Sequence, residues 1–196
     1  MRLFITFFLA CLVIPAFAKE SSPLPAPEHI KVNERVHVRL GPVALPSKEN
    51  RGYMVNSTFL VGDEGVILVD TGFSKEIGQH IKQHIAKITD KPVTHIINTH
   101  NHGDHILGNI AFPGAKIISS KKCQATMEKS GYEWIKILES ITGMTFPDTR
   151  PVVADTGYAE DSRTTLTLQG ITLELWVPQG SHTATDLLVV IPGEKI

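Results

Sequence analysis

The stretch THNHGDH, Thr99 to His105, follows the apolar run VTHII and carries three histidines and an aspartate within seven residues. A buried strand that ends in so many titratable groups has to give them partners, because unpaired polar groups in an apolar interior are costly. In extended backbone, residues two apart point the same way, so His100 and His102 can turn two imidazoles to one point. Neutral imidazole is the commonest metal-ligating side chain, and an open tetrahedral zinc site takes three protein ligands. Gly103 lets the backbone turn, which re-aims Asp104 and His105, where a second ion beside the first is an open alternative. The third ligand has to come from far along the chain. PQGSHTATD supplies His182, again at the end of a strand, with Asp186 four residues later. A layered fold whose strands bring their C-terminal ends together accounts for that separation.

The remaining segments suit such a layering. RVHVRL alternates, with Val36, Val38 and Leu40 expected inward and Arg35, His37 and Arg39 outward. Two strands, about Met54–Val61 and Val66–Asp70, flank a Gly-Asp-Glu-Gly turn. VILV is apolar on both faces, as in a central strand covered on both sides, and Asp70 closes it with a carboxylate that needs partners. In SKEIGQHIKQHIAKIT, Ile77, Ile81, Ile85 and Ile88 share one helical face. Ser74 suits the N-cap and Glu76 the positive end of the dipole. His80 and His84 lack the intervening glutamate of a helical zinc motif and are expected to be exposed. AKIIS reads as a short strand. KKCQATMEKSGYEWIKILESITG reads as helical, broken near Gly131, with Trp134, Ile135, Leu138 and Ile141 on one face and Gly143 stopping it. TFPDTRPVVADTGYAED reads as loop, RTTLTLQGITLELWVP as a hairpin around Gln169-Gly170, and DLLVVIP as a buried strand. The order of strands and helices predicts an α/β (α+β layered) domain.

The run His100-x-His102-x-Asp104-His105 resembles the H-x-H-x-D-H signature of the metallo-β-lactamase-fold hydrolases. VILVDTG at 66–72, GN at 108–109 and GSHTATD at 180–186 fall in the order that family shows. The resemblance implies an αββα sandwich, of which 31–196 would hold the first half and the start of the second. It implies a first zinc on His100, His102 and His182, a second on Asp104 and His105, and Asp70 as a carboxylate orienting the ligands. Asp104 would also be catalytic, holding a hydroxide or a second ion in line. One or two Zn2+ are expected, although imidazole and carboxylate also suit iron or manganese. The implied activity is metal-dependent hydrolysis of a small-molecule substrate, with β-lactams and thioesters both open; a non-catalytic metal-binding remnant is the alternative. In the family a strand with an Asp or Cys and a final His follow the third histidine. They lie outside these residues, so the chain is expected to be an incomplete form of a longer protein.

The first residues, MRLFITFFLACLVIPAFAKE, have one basic residue, an apolar run and Ala16-Phe17-Ala18. That is the pattern of a secretory signal over 1–18, predicting a periplasmic or secreted product. The run is shorter than the ~20 residues that span a bilayer, so no stable membrane span is expected after cleavage. Residues 19–30, rich in Pro and Ser, read as a flexible leader. Cys123 is then the one remaining cysteine, excluding an intramolecular disulfide, and is expected to pack as a small hydrophobe. A net charge of −1 offers no basic excess for nucleic acid. A G-x-S-x-G elbow is absent, which disfavours a serine hydrolase.

Overall fold

A computed structural model of the chain describes residues 23–194; the secretory signal expected at 1–18 lies outside the described residues. The elements are β1 (Glu28–Lys31), β2 (Val36–Leu40), β3 (Ser57–Val61), β4 (Val66–Val69), α1 (Lys75–Ala86) and β5 (Val93–Ile97). Then come a single turn of helix, α2 (Gly103–Ile106), a 3-10 turn (Leu107–Ala111), β6 (Lys116–Ser120) and α3 (Lys121–Thr142). β7 (Thr156–Tyr158), β8 (Ser162–Leu168), β9 (Ile171–Val177) and β10 (Leu188–Val190) complete the strands.

β1 to β7 form one sheet in sequence order, and β10-β9-β8 form a second. β1 to β4 pair antiparallel, and β4 to β7 pair parallel. Alternate residues of the central strands therefore feed two cores. Phe59, Leu68 and Ile96 pack with Ile77, Ile81 and Leu138 of the helices. Leu60, Ile67 and Ile97 pack with Leu173, Leu175 and Val177 of the second sheet. The two-sided apolarity of VILV has this cause. The result is a helix layer, a large sheet and a smaller sheet, as the α/β reading expects.

Helix α1 starts where Ser74 accepts a hydrogen bond from the Ile77 N–H, a cap contributing ~1 kcal/mol. Helix α3 ends on Gly143 in the left-handed region. The hairpin turns through Gln169 and Gly170, both at positive φ. Cys123 is fully buried, as expected, and burial pushes its thiol up to about 12.

Several local expectations need correction. The leader assigned through Ile30 ends in strand β1, because Glu28–Lys31 finds a backbone partner in β2. β3 begins at Ser57, three residues later than expected. His37 and Arg39 are buried, not outward: His37 packs between His29 of β1 and Phe59 of β3, and Arg39 packs against His80 of α1. His84, expected to be exposed, is buried on the same side, and His80 is half-buried against Arg39. α3 is unbroken at Gly131; that glycine lets Pro151 approach, and a Cβ there would lie 2.6 Å from the proline ring. Ile141 is exposed. The segment read as loop contains β7, which extends the parallel ladder from β6. β10 is an edge strand that pairs with β9 alone, and its Leu188 and Val190 share an exposed face while Val189 turns to the core.

Candidate metal centre

β4, β5 and β6 run parallel, so their C-terminal ends open on one edge of the sheet. Chain reversals there leave side chains outside the strand ends, where ligands bind in open α/β sheets. Asp70 follows β4, His100 follows β5, and Ser120 ends β6.

His100, His102 and His182 meet at this edge. One ligand atom from each lies within 4.8 Å of the others. Their ring centroids are 4.5 Å (100–102), 5.0 Å (100–182) and 5.0 Å (102–182) apart. His100 is buried, His102 half-buried and His182 exposed. Burial lowers His100 to about 4, helped by the neighbouring His105, and burial likewise lowers His102. Both are neutral near pH 7, the state a cation requires. The Nε2 of His100 is buried without any hydrogen-bond partner. A buried polar atom left in this way is rare, and a lone pair aimed at two other imidazoles fits a divalent ion. Residues His100, His102 and His182 are therefore the ones that could hold a metal.

His105 sits beside them, its ring 4.0 Å from that of His100. Its Nδ1 lies 2.7 Å from Asp70 Oδ2 and its Nε2 lies 3.3 Å from Asp104 Oδ2. Burial opposes its charge, but the two carboxylates prevail and raise it to about 10. Burial raises Asp104, yet its hydrogen bond to His105 and that charge hold it below the usual carboxylate range. Thus Asp104 and His105 are turned towards each other rather than into the three-histidine cluster.

Asp70 organises this edge. It accepts from the Thr99 N–H at 2.9 Å, the Thr99 hydroxyl at 2.8 Å and His105. Its φ of 60° lies in the left-handed region, a conformation costing ~1 kcal/mol or more outside glycine. The hydrogen bonds fix it there. Gly103 answers a second packing demand: a Cβ would come 2.4 Å from Phe73 Cε2 and 2.5 Å from Trp134 Cβ. Trp134 in turn places its ring 5.0 Å from that of His102.

Of the groups that position the histidines, Asn98 and Ser120 lie outside the motif stretches read from sequence. Asn98 and Asn109 hydrogen-bond each other, and Asn98 and Thr71 both donate to the His105 carbonyl. The His182 loop is folded by Thr183, whose N–H and hydroxyl donate to the Asp186 carboxylate. It is docked by Thr185: the hydroxyl accepts from the Asn101 N–H, and the carbonyl accepts from Ser120. The Leu187 N–H also donates to the Thr99 carbonyl at 2.7 Å. The "TATD" run after His182 was the available signal, since Thr and Asp readily bond nearby backbone.

A pocket of about 330 Å³ adjoins the cluster, with His100 and His182 on one side. Leu60, Val69, Leu187 and Ile191 form its apolar wall.

Comparison with known proteins agrees with this geometry. Residues 50–196 match the family model described as the metallo-beta-lactamase superfamily. A metallo-beta-lactamase type 2 of Bacillus sp. (strain 170) is 27% identical over 162 residues, covering 80% of this chain and 57% of that protein. A linear primary-alkylsulfatase of Pseudomonas sp. (strain ATCC 19151) is 42% identical over 57 residues, covering 29% of this chain and 11% of that protein. The chain thus spans less than two thirds of the curated relatives' length. The metallo-beta-lactamase FIM-1 from Pseudomonas aeruginosa, solved in its mono-zinc form, shares the fold. Its TM-score is 0.63 at 18% identity, covering 89% of this chain and 68% of that one.

Proposed function

The chain belongs to the metallo-beta-lactamase superfamily, and on that premise we propose that it is a zinc-dependent hydrolase of a small-molecule substrate. The observation that carries this reading is the convergence of His100, His102 and His182, with the His100 Nε2 buried and unpartnered. These three side chains would hold the ion. When bound, a divalent cation supplies Lewis acidity, which makes water ionisable near neutral pH and polarises a carbonyl-type oxygen.

The protein's own groups do the rest. Asp104, held ionised by His105, can accept a proton from water and orient it. Asp70 fixes the ring of His105 through Nδ1, which leaves Nε2 facing Asp104, where a second ion would have to displace the proton that Nε2 carries. Among the described residues Asp104 and His105 are the candidate ligands for that position, and the three-histidine position is the one expected to hold zinc tightly. The pocket beside His100 and His182 can seat an apolar part of the substrate next to the reacting bond. The named relatives are a β-lactamase and an alkylsulfatase. β-Lactams, thioesters and sulfate esters are accordingly the classes to assay. The secretory pattern of 1–18 supports export to the periplasm or beyond. Among the described residues no helix is long and apolar enough to cross a membrane.

The test is metal removal and return. Purified protein is dialysed against a chelator, then assayed with a chromogenic cephalosporin, a thioester and an alkyl sulfate before and after zinc is restored. Activity that vanishes and returns supports the proposal; activity retained by protein free of metal refutes it.

A further inference from the structure

On the helix side of the large sheet, away from the histidine cluster, the fold encloses a positive charge with no counter-charge among the described residues. Arg39 is fully buried. Its guanidinium carbon sits 4.1 Å over the ring of Tyr53, and Nη2 lies 2.9 Å from Nδ1 of His80. Its Nε and Nη1 have no hydrogen-bond partner. Ser57, opposite Arg39 in the β2–β3 register, is equally buried, and its hydroxyl is also unpartnered. His84 lies one turn along α1 from His80, buried, with its Nε2 unpartnered.

Among the described residues no acidic group compensates. Among the described residues Arg39 makes no ion pair. Glu76, the acidic residue of α1, is held by Arg51, whose Nε is 3.0 Å from both carboxylate oxygens. Burial lowers Arg39 to about 10, which leaves it cationic at neutral pH. Unpaired buried charge is among the most costly arrangements a fold can contain. The guanidinium and hydroxyl can both donate, so the partner they lack is an acceptor, and the charge favours an anion. With Arg39 and Ser57 closed off from solvent, that anion has to be small.

We infer that Arg39 and Ser57, bordered by His84, form a binding site for a small monovalent anion of the chloride type, enclosed between β2–β3 and α1. The site is independent of the metal centre and of the hydrolase proposal. The bound anion neutralises Arg39 and fastens α1 to the sheet, so folding stability depends on which anion is present, not on ionic strength alone.

The full chain is unfolded thermally in gluconate buffers of constant ionic strength with increasing chloride. The midpoint is expected to rise by several degrees and saturate, as for a ligand bound by the native state alone. In Arg39→Met the chloride response is expected to vanish. A flat wild-type response, or one that persists in Arg39→Met, overturns the inference. Should that variant fail to fold, crystals of the wild-type chain grown in bromide decide. An anomalous peak within hydrogen-bond distance of Arg39 and Ser57 supports the site, and a water alone there overturns it.

Discussion

The carboxylate of Asp70 lies 2.7 Å from Nδ1 of His105, although the two residues are 35 apart in sequence. The same carboxylate takes both the N–H and the hydroxyl of Thr99, the residue before His100. One side chain therefore fixes the orientation of the His105 ring and the direction in which the chain leaves β5. Asp70→Asn tests this, because asparagine tolerates the left-handed backbone and nearly matches the shape. The fold is expected to persist while zinc affinity falls by roughly 10- to 100-fold. Competition with a chromophoric chelator measures it, and unchanged affinity would assign Asp70 a purely structural role.

His182 is the exposed member of the trio, so its removal should cost little stability. His182→Ala is expected to lose most bound zinc by native mass spectrometry while its denaturant midpoint stays near that of wild type. His102→Ala should lose zinc as well. Undiminished occupancy in both would remove the three-histidine centre from consideration.

Gly103 has no room for a methyl group between Phe73 and Trp134. Gly103→Ala forces one of those rings or the turn itself to move. Overpacking of this kind costs about 1–3 kcal/mol. Denaturant unfolding should show that loss, with zinc affinity reduced too, because the turn carries His102 on one side and Asp104 on the other. Wild-type stability in this variant would mean that the turn relaxes freely.

His84 makes stability depend on pH. Burial and then the charge of Arg39 lower it to about 4, with smaller contributions from His29, Lys87 and His80. A depressed histidine binds fewer protons folded than unfolded. Its stabilising contribution is present above pH ~6.5 and is lost as pH falls towards 4, on the order of 2–3 kcal/mol. Chemical denaturation of metal-free protein at pH 7.5 and 4.5 checks this. His100, lowered equally far, adds to the same dependence, so His84→Gln is expected to reduce the difference by its own share, and a variant with an unchanged pH slope would exclude a contribution from His84.

Much of this protein is written in local pattern. The period-2 backbone after VTHII puts His100 and His102 on one side, and the two-sided apolarity of VILV marks a strand between two cores. The isoleucines of α1 and the Gln169-Gly170 turn are fixed by neighbours a few residues away. Which face of β2 goes inside is not of that kind. His37 is buried between His29 of β1 and Phe59 of β3, and Arg39 is buried against His80 of α1, a helix supplied by a distant segment. Nor does the chain record that Asp70 turns to His105, or that Thr185 and Ser120 dock the His182 loop beside β5. Spacing along the backbone determines what adjacent residues can share. Pairings across dozens of residues exist only after the parallel strands bring their ends to one edge, and tertiary structure alone decides them.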